Sequence, residues 1–187
     1  MTLGDEASAI SAGHGGQLGA APDVLDVSTL FREHQAGLVR LAVLLVRDRP
    51  TAEDVVQDAF AAVHARSDRL GPDDDLLAYV RACVVNGCRR VLRRRAVERR
   101  LGGARDQPAS WPGRSAEQEV IWSEDRRRVL AALAALPQRR QEVLVLRYYL
   151  GLSEAEIAAV LKIRPGTVKS TAARGLAALA TAMGEEA

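Results

Sequence analysis

A chain of 187 residues with 48% apolar and 27% charged residues is globular rather than disordered, and two Phe, two Trp and three Tyr are too few to fill a β-sandwich core. The formal charge of +2 excludes a uniformly basic body, and the longest apolar run, Val129 to Leu136, is, like Leu41 to Val46, far short of the roughly 20 residues that cross a bilayer. The abundance of Ala, Leu, Val and Arg predicts an all-α fold.

Residues 1–27 hold four acids and no base, are rich in Gly, Ala and Ser without periodicity, and read as a flexible tail: a disordered end, or an inhibitory or partner-binding segment. They lack the basic run and hydrophobic block of a secretory signal, so the expected location is cytoplasmic. From Ser28, Leu30, Leu38, Leu41 and Leu45, with Phe31 adjoining, recur at helical spacing as far as the Arg47-Asp48-Arg49-Pro50 break. Thr51 is expected to open a second helix with Glu53 and Asp54 in its first turn and Ala52, Val56, Phe60 and Val63 as its buried stripe. The loop Gly71-Pro72-Asp73-Asp74-Asp75 ends that hairpin and either caps a third helix or helps form a pocket at its end. The stripe of this third helix is Leu76, Val80, Val84 and Val91, and its opposite face holds Tyr79, Ala82, Asn86, Arg89 and Arg93, with Arg90 beside them. These three helices form a first domain, residues 28–101.

Residues 102–117, punctuated by Gly102, Gly103, Pro108, Pro112 and Gly113, read as a flexible linker with Trp111 as its bulky anchor. A second domain, residues 118–183, starts with a helix through Val129, Leu130 and Leu133 to Leu136. Pro137 begins the next helix, with Val143, Leu144, Leu146 and Tyr149, which stops at Gly151. Ser153 and Glu156 form a capping box for a short helix whose Ile157, Val160 and Leu161 face inward. The turn Lys162-Ile163-Arg164-Pro165-Gly166 leads into the last helix. There Val168, Ala172, Leu176, Leu179 and Met183 share one face, while Thr167, Ser170 and Arg174 fall opposite and Lys169 lies at the flank. Two short helices with a tight turn and an exposed row of hydroxyl and basic groups match a helix-turn-helix that reads the major groove, or, more plainly, an αα-hairpin of an ordinary bundle.

The charge is segregated. Residues 28–80 carry −3, residues 81–105 carry +8, residues 106–125 carry −4 and residues 126–187 carry +5. Such blocks place particular surfaces, rather than the whole body, against phosphate, although a solvated helical face has the same composition. Cys83 and Cys88 have neither redox nor zinc spacing and read as helix residues, Cys88 the more buried. No nucleophile elbow, P-loop or metal-spaced cluster appears and the three His are scattered, so no enzymatic activity, metal or cofactor is expected.

The segments Leu152-Ser153-Glu154-Ala155-Glu156-Ile157-Ala158 and Gly166-Thr167-Val168-Lys169-Ser170, preceded by Leu136-Pro137 and Val143-Leu144-Val145-Leu146-Arg147-Tyr148, resemble the fourth conserved region of bacterial sigma factors. A related helix-turn-helix occurs in response regulators. The first half, with Asp54-Val55-Val56-Gln57-Asp58-Ala59-Phe60, is similar to the family's second conserved region. Together the halves resemble the extracytoplasmic-function (ECF) group over roughly residues 28–183.

The resemblance implies a non-catalytic specificity subunit of RNA polymerase that promotes DNA melting. Asp54, Gln57 and Asp58 would dock on the coiled coil of the largest core subunit, and the C-terminal half on the flap. Tyr79, Asn86, Arg89, Arg90 and Arg93 would bind the minus-ten element, with Arg94, Arg95, Arg99 and Arg100 adding sequence-independent affinity. Arg164, Thr167, Lys169, Ser170, Thr171 and Arg174 would bind the minus-thirty-five duplex. The acidic linker would thread the polymerase near its active-site cleft, and an anti-sigma protein is an expected partner. Arg90 stands where many relatives carry an acid, and Thr171-Ala172-Ala173 where a more arginine-rich run is usual. The alternative is a free-standing helix-turn-helix regulator, which residues 28–100 do not favour because they lack the strand and helix alternation of a receiver domain.

Overall fold

The computed structural model describes residues 27–66, 75–101 and 124–184; the N-terminal tail, the expected linker with Trp111 and most of the Gly71–Asp75 loop lie outside them. The described residues form seven helices and no strand: α1 (Val27–Val46), α2 (Arg49–His64), α3 (Leu76–Arg100), α4 (Glu124–Ala135), α5 (Gln138–Leu144, continued by a π-helical stretch Val145–Tyr149), α6 (Glu154–Leu161) and α7 (Pro165–Met183).

Helices α1 to α3 pack together around Leu41, Val56, Val63, Val80, Val84 and Val85, all fully buried. The expected stripes of α1 and α2 are realised, apart from Leu30 and Phe31, which are half-buried. Phe31 meets Phe60 edge to face, with ring centroids 4.9 Å apart, the arrangement the ring quadrupoles favour.

Helix α2 starts earlier than expected. Asp48 is its N-cap, accepting from Thr51 N at 3.1 Å, and Pro50 lies in the first turn. Glu53 and Asp54 therefore stand beyond the first turn. Arg47, at φ 60°, supplies the left-handed residue that turns the chain between α1 and α2. Arg95 clasps this corner by donating to Val46 O (2.7 Å) and to Thr51 Oγ1 (3.0 Å), while lying 3.4 Å from Asp48 Oδ2. It is thus a structural residue and not one of a free arginine run. Asp75 caps α3 by accepting from Ala78 N at 2.8 Å, which gives this member of the acidic loop the capping role.

Where α3 crosses α2, Gly87 takes the place of a side chain. A Cβ there would lie 2.7 Å from Val55 Cγ1, on a stiff and buried β-branched residue. The Gly87→Ala variant should lose about 1–3 kcal/mol through overpacking, despite the better helix propensity of alanine. Urea denaturation checks this, and adding Val55→Ala should relieve the clash without restoring the full packing.

In the second half, Pro137 is the N-cap of α5, and Gly151, at φ 68°, ends the following turn. The capping box is present in both directions: Glu156 N donates to Ser153 Oγ at 3.2 Å and Ser153 N donates to Glu156 Oε2 at 2.8 Å. The Ser153 hydroxyl, and then its backbone N–H, favour the ionised form and hold the Glu156 carboxyl below its ordinary range. Lys162, at φ 54°, closes α6, and Pro165 opens α7.

Two expected inward faces differ. On α7 the buried residues are Val168, Thr171, Ala172 and Gly175, with Leu176 42% exposed. The seat of α7 on α5 is so close that a Cβ on Gly175 would come within 3.1 Å of Leu144, which rotates the small residues inward. On α4 the alanines Ala132 and Ala134 are the buried ones, while Val129 is 38% exposed and Leu130 and Leu133 are half-buried. They line an open apolar groove with Val39 and Val43 of α1 and Leu179 of α7.

The two halves are not held apart. Helix α6 lies against α3, α1 touches α4 and the π-helical stretch, and the buried core runs from one half into the other.

Candidate nucleic-acid interface

On α2, the pattern that buries Ala52, Val55, Val56, Ala59, Phe60 and Val63 leaves Asp54, Gln57 and Asp58 exposed together on the outer side. Glu53 beside them pairs with Arg49 at 2.7 Å. This exposed i, i+4 pair is held in water and contributes little to stability. The result is an acidic and amide surface on a rigidly packed helix, suited to a basic or polar protein partner.

The α3 face expected to be open is open only at its C-terminal end. Arg90 and Arg93 are exposed, but Tyr79, Asn86 and Arg89 are half-buried, because α6 and α5 cover the side that the α1–α2 core does not. Tyr79 Oη accepts from Arg66 Nη1 at 2.8 Å, and Asn86 Oδ1 accepts from Arg89 Nη1 at 3.1 Å. Arg89 in turn grips Glu142 of α5 with both arms, Nε to Oε1 at 2.7 Å and Nη2 to Oε2 at 2.6 Å. Glu142 is 2% exposed. The hydrogen-bonded carboxylate raises the guanidinium's affinity for its proton against the effect of burial, so Arg89 is a permanent cation here. Beyond it, Arg94 pairs with Glu98 at 2.8 Å while Arg99 and Arg100 are exposed.

In the second half, Arg164, Thr167, Lys169, Ser170 and Arg174 are all exposed along the first turns of α7. Arg174 folds back along its helix, donating from Nε to Ser170 O at 3.1 Å, and Ser170 Oγ donates to Thr167 O at 3.2 Å. Thr171 does not join them. It is 6% exposed, one position round the helix and on the inner side. Five of the six residues expected to face duplex DNA therefore share a surface, with hydroxyls at the centre and basic groups around them. That mixture suits base edges flanked by phosphates.

Sequence reasoning missed Gln141 and Glu142, polar residues 3% and 2% exposed within the apolar stretch that follows Pro137. Gln141 Nε2 donates to Leu44 O at 2.8 Å. Arg47, from the α1–α2 corner, donates to Ala134 O, and Arg40 Nε donates to Tyr149 Oη at 2.8 Å. Each of these bonds joins the two halves, and no periodicity within one helix signals a partner so distant in sequence.

The family model for sigma-70 region 2 matches residues 30–98, and that for sigma-70 region 4 matches residues 126–179. The ECF RNA polymerase sigma factor SigL of Mycobacterium tuberculosis is 35% identical over 154 residues, which span 81% of this chain and 85% of that protein. The chain belongs to the ECF sigma factors. The RNA polymerase sigma-E factor of Streptomyces coelicolor is 32% identical to this ECF sigma factor over 84% of its length and 85% of the relative's. Among solved structures, that of CnrH in complex with the cytosolic domain of CnrY has a TM-score of 0.63 at 26% identity, covering 83% of this chain and 85% of CnrH. The sigma factor RpoE from Bartonella quintana, in complex with the anti-sigma factor NepR, has a TM-score of 0.72 over 87% of this chain and 99% of that one; at 22% identity it shows the shared helical fold of the ECF sigma factor. In the ECF sigma factor, α1–α3 thus constitute region 2 and α4–α7 region 4, and the chain is an RNA polymerase sigma factor, an initiation factor for transcription. No helix among the described residues is long and apolar enough to cross a membrane.

Proposed function

We propose that this ECF sigma factor binds core RNA polymerase through the α2 face of Asp54, Gln57 and Asp58, and carries it to promoters with two recognition elements. Helix α7 reads the upstream element as duplex through Thr167, Ser170 and Arg174, with Arg164 and Lys169 on phosphates. Helix α3 holds the downstream element as a separated strand, Tyr79 stacking on a base and Asn86, Arg89, Arg90 and Arg93 holding its backbone and edges. The factor works in the cytoplasm and supplies no covalent chemistry: extruding a base costs a few kcal/mol, which stacking and a shaped pocket offset. The observation that carries this reading is the presence on one chain of a helix-turn-helix with an exposed hydroxyl and basic row and a second, arginine-lined helix set against an acidic docking face.

A protein inhibitor of the anti-sigma type is part of the proposal. The groove between α1, α4 and α7 leaves Val129 and Leu176 exposed beside Val39, Val43 and Leu133, an apolar lining suited to an amphipathic helix, and CnrH was solved with the cytosolic domain of CnrY bound.

The test adds the full chain to sigma-free core polymerase and follows co-elution and initiation from a genomic promoter library. Specific starts sharing a two-element motif are expected; DNA binding without association with core would favour a free-standing regulator. Asp54→Ala with Asp58→Ala should weaken core binding about 30-fold or more, the effect of losing hot-spot contacts. Arg174→Ala should leave core binding intact and cost about 1–3 kcal/mol in duplex recognition. Equal loss of core binding in both variants would overturn the assignment of faces.

A further inference from the structure

Of the residues proposed to hold a DNA strand, Tyr79, Asn86 and Arg89 are half-buried in this structure, and the same chain's own second half covers Asn86 and Arg89. Glu142, 2% exposed, needs a counter-charge. Its own helix region offers only Gln138 Nε2 at 3.1 Å and a half-exposed Arg139 Nη1 at 3.5 Å. The two short, parallel bonds come instead from Arg89 on α3. A guanidinium accepts a carboxylate and a phosphate in the same bidentate geometry, so Glu142 occupies the position that a strand phosphate would take on Arg89. The polar contacts between the halves are Gln141 to Leu44 O, Arg47 to Ala134 O and Arg40 to Tyr149, set beside an apolar seam in which Leu146 and Val160 share the buried core of α1–α3. The polar groups find water again when the halves part, so separation costs apolar burial but strands no buried charge.

We infer that the Arg89–Glu142 ion pair is an intramolecular latch that keeps α5–α7 closed over the Asn86 and Arg89 face of α3. It rests on the proposed function only in its consequence, that a strand reaches this face once the latch opens.

Cys83 provides a reporter that does not depend on DNA. It lies beside Asn86 in the cleft between α3 and α6, near Val160 and Lys162, whereas Cys88 is 1% exposed in the α1–α3 core, with burial pushing its thiol up to about 12. In the full chain, the alkylation rate of Cys83 by a small maleimide should rise about tenfold in Glu142→Gln, the factor that corresponds to weakening a charge-assisted hydrogen bond. Gln141→Ala should raise it in the same direction. Arg89→Glu combined with Glu142→Arg should return it toward the wild-type rate, which a merely unfolded C-terminal half would not do, and far-UV circular dichroism should stay unchanged. Unchanged Cys83 rates in Glu142→Gln and Gln141→Ala, or failure of the swapped pair to close again, would overturn the latch. Faster alkylation in Glu142→Gln should be accompanied by tighter binding of a fluorescent thymidine-rich single strand. Faster alkylation without tighter binding would leave the latch standing and overturn the strand-binding role of α3.

Discussion

Exchanging Arg93, Arg94, Arg99 and Arg100 for glutamine should lower the slope of log K against log salt for DNA binding by up to about 3, since each phosphate contact releases a condensed counterion and contributes about 0.7–0.9 to that slope. The four residues extend along the exposed C-terminal half of α3, and one of them, Arg94, is tied only to Glu98 on its own helix. Because this contribution carries no base information, the loss should be similar for promoter and non-promoter DNA. Fluorescence anisotropy across a salt series checks it; a slope unchanged in the quadruple variant would mean that this end of α3 points away from DNA. Arg95 belongs to a different class. Its guanidinium closes the α1–α2 corner on Val46 O and Thr51 Oγ1, so Arg95→Gln should appear in the melting temperature before it appears in the salt slope.

The largest loss of stability is expected from Phe60→Ala. Phe60 is 5% exposed at the centre of the α1–α2 contact and meets Phe31 edge to face. Truncating a buried phenylalanine removes its transfer free energy and leaves a cavity, together about 3–5 kcal/mol. Phe60→Leu should retain most of the volume and lose the ring contact, which a double-mutant cycle with Phe31→Leu should place at about 0.5–1.5 kcal/mol. Urea denaturation of the full chain is the measurement. A cost below about 1 kcal/mol for Phe60→Ala would contradict this packing. Since α2 also presents Asp54, Gln57 and Asp58, core binding should fall with it, but in proportion to the folded fraction rather than through lost contacts.

The helices and their caps were legible where the signal is local. The 3.6-residue recurrence of Leu38, Leu41 and Leu45, and of Val56, Phe60 and Val63, is a property of each helix alone, and Ser153 with Glu156 satisfies backbone donors within one turn. The start of α2 is hidden because Asp48 looks like part of a charged break, and only the bond of its side chain with Thr51 N marks it as a cap. The outer face of α3 is hidden for a different reason. Opposition to one apolar stripe locates solvent only if a helix has a single neighbour, and here α6 packs on the second side. Thr171 and Gly175 fail on size: once α7 approaches α5 as closely as Leu144 requires, small residues face inward, and a hydropathy pattern ranks them below Leu176. Gln141 and Glu142 were hidden in the opposite sense, as polar groups satisfied by partners in the other half of the chain.

The close seat of α7 on α5 also bears on how such a factor changes its targets. The row Thr167, Ser170 and Arg174 stands on a helix whose buried side holds Thr171, Ala172 and Gly175, the last seated directly on Leu144, and side chains that read base edges tolerate only about half an ångström of displacement. A methyl group added at Gly175 pushes on Leu144, and a shift of α7 in response would move the whole row without altering any residue proposed to meet DNA. On the proposed function, promoter preference is then open to drift from beneath the reading surface, and two factors with identical exposed residues on this helix need not share a set of genes.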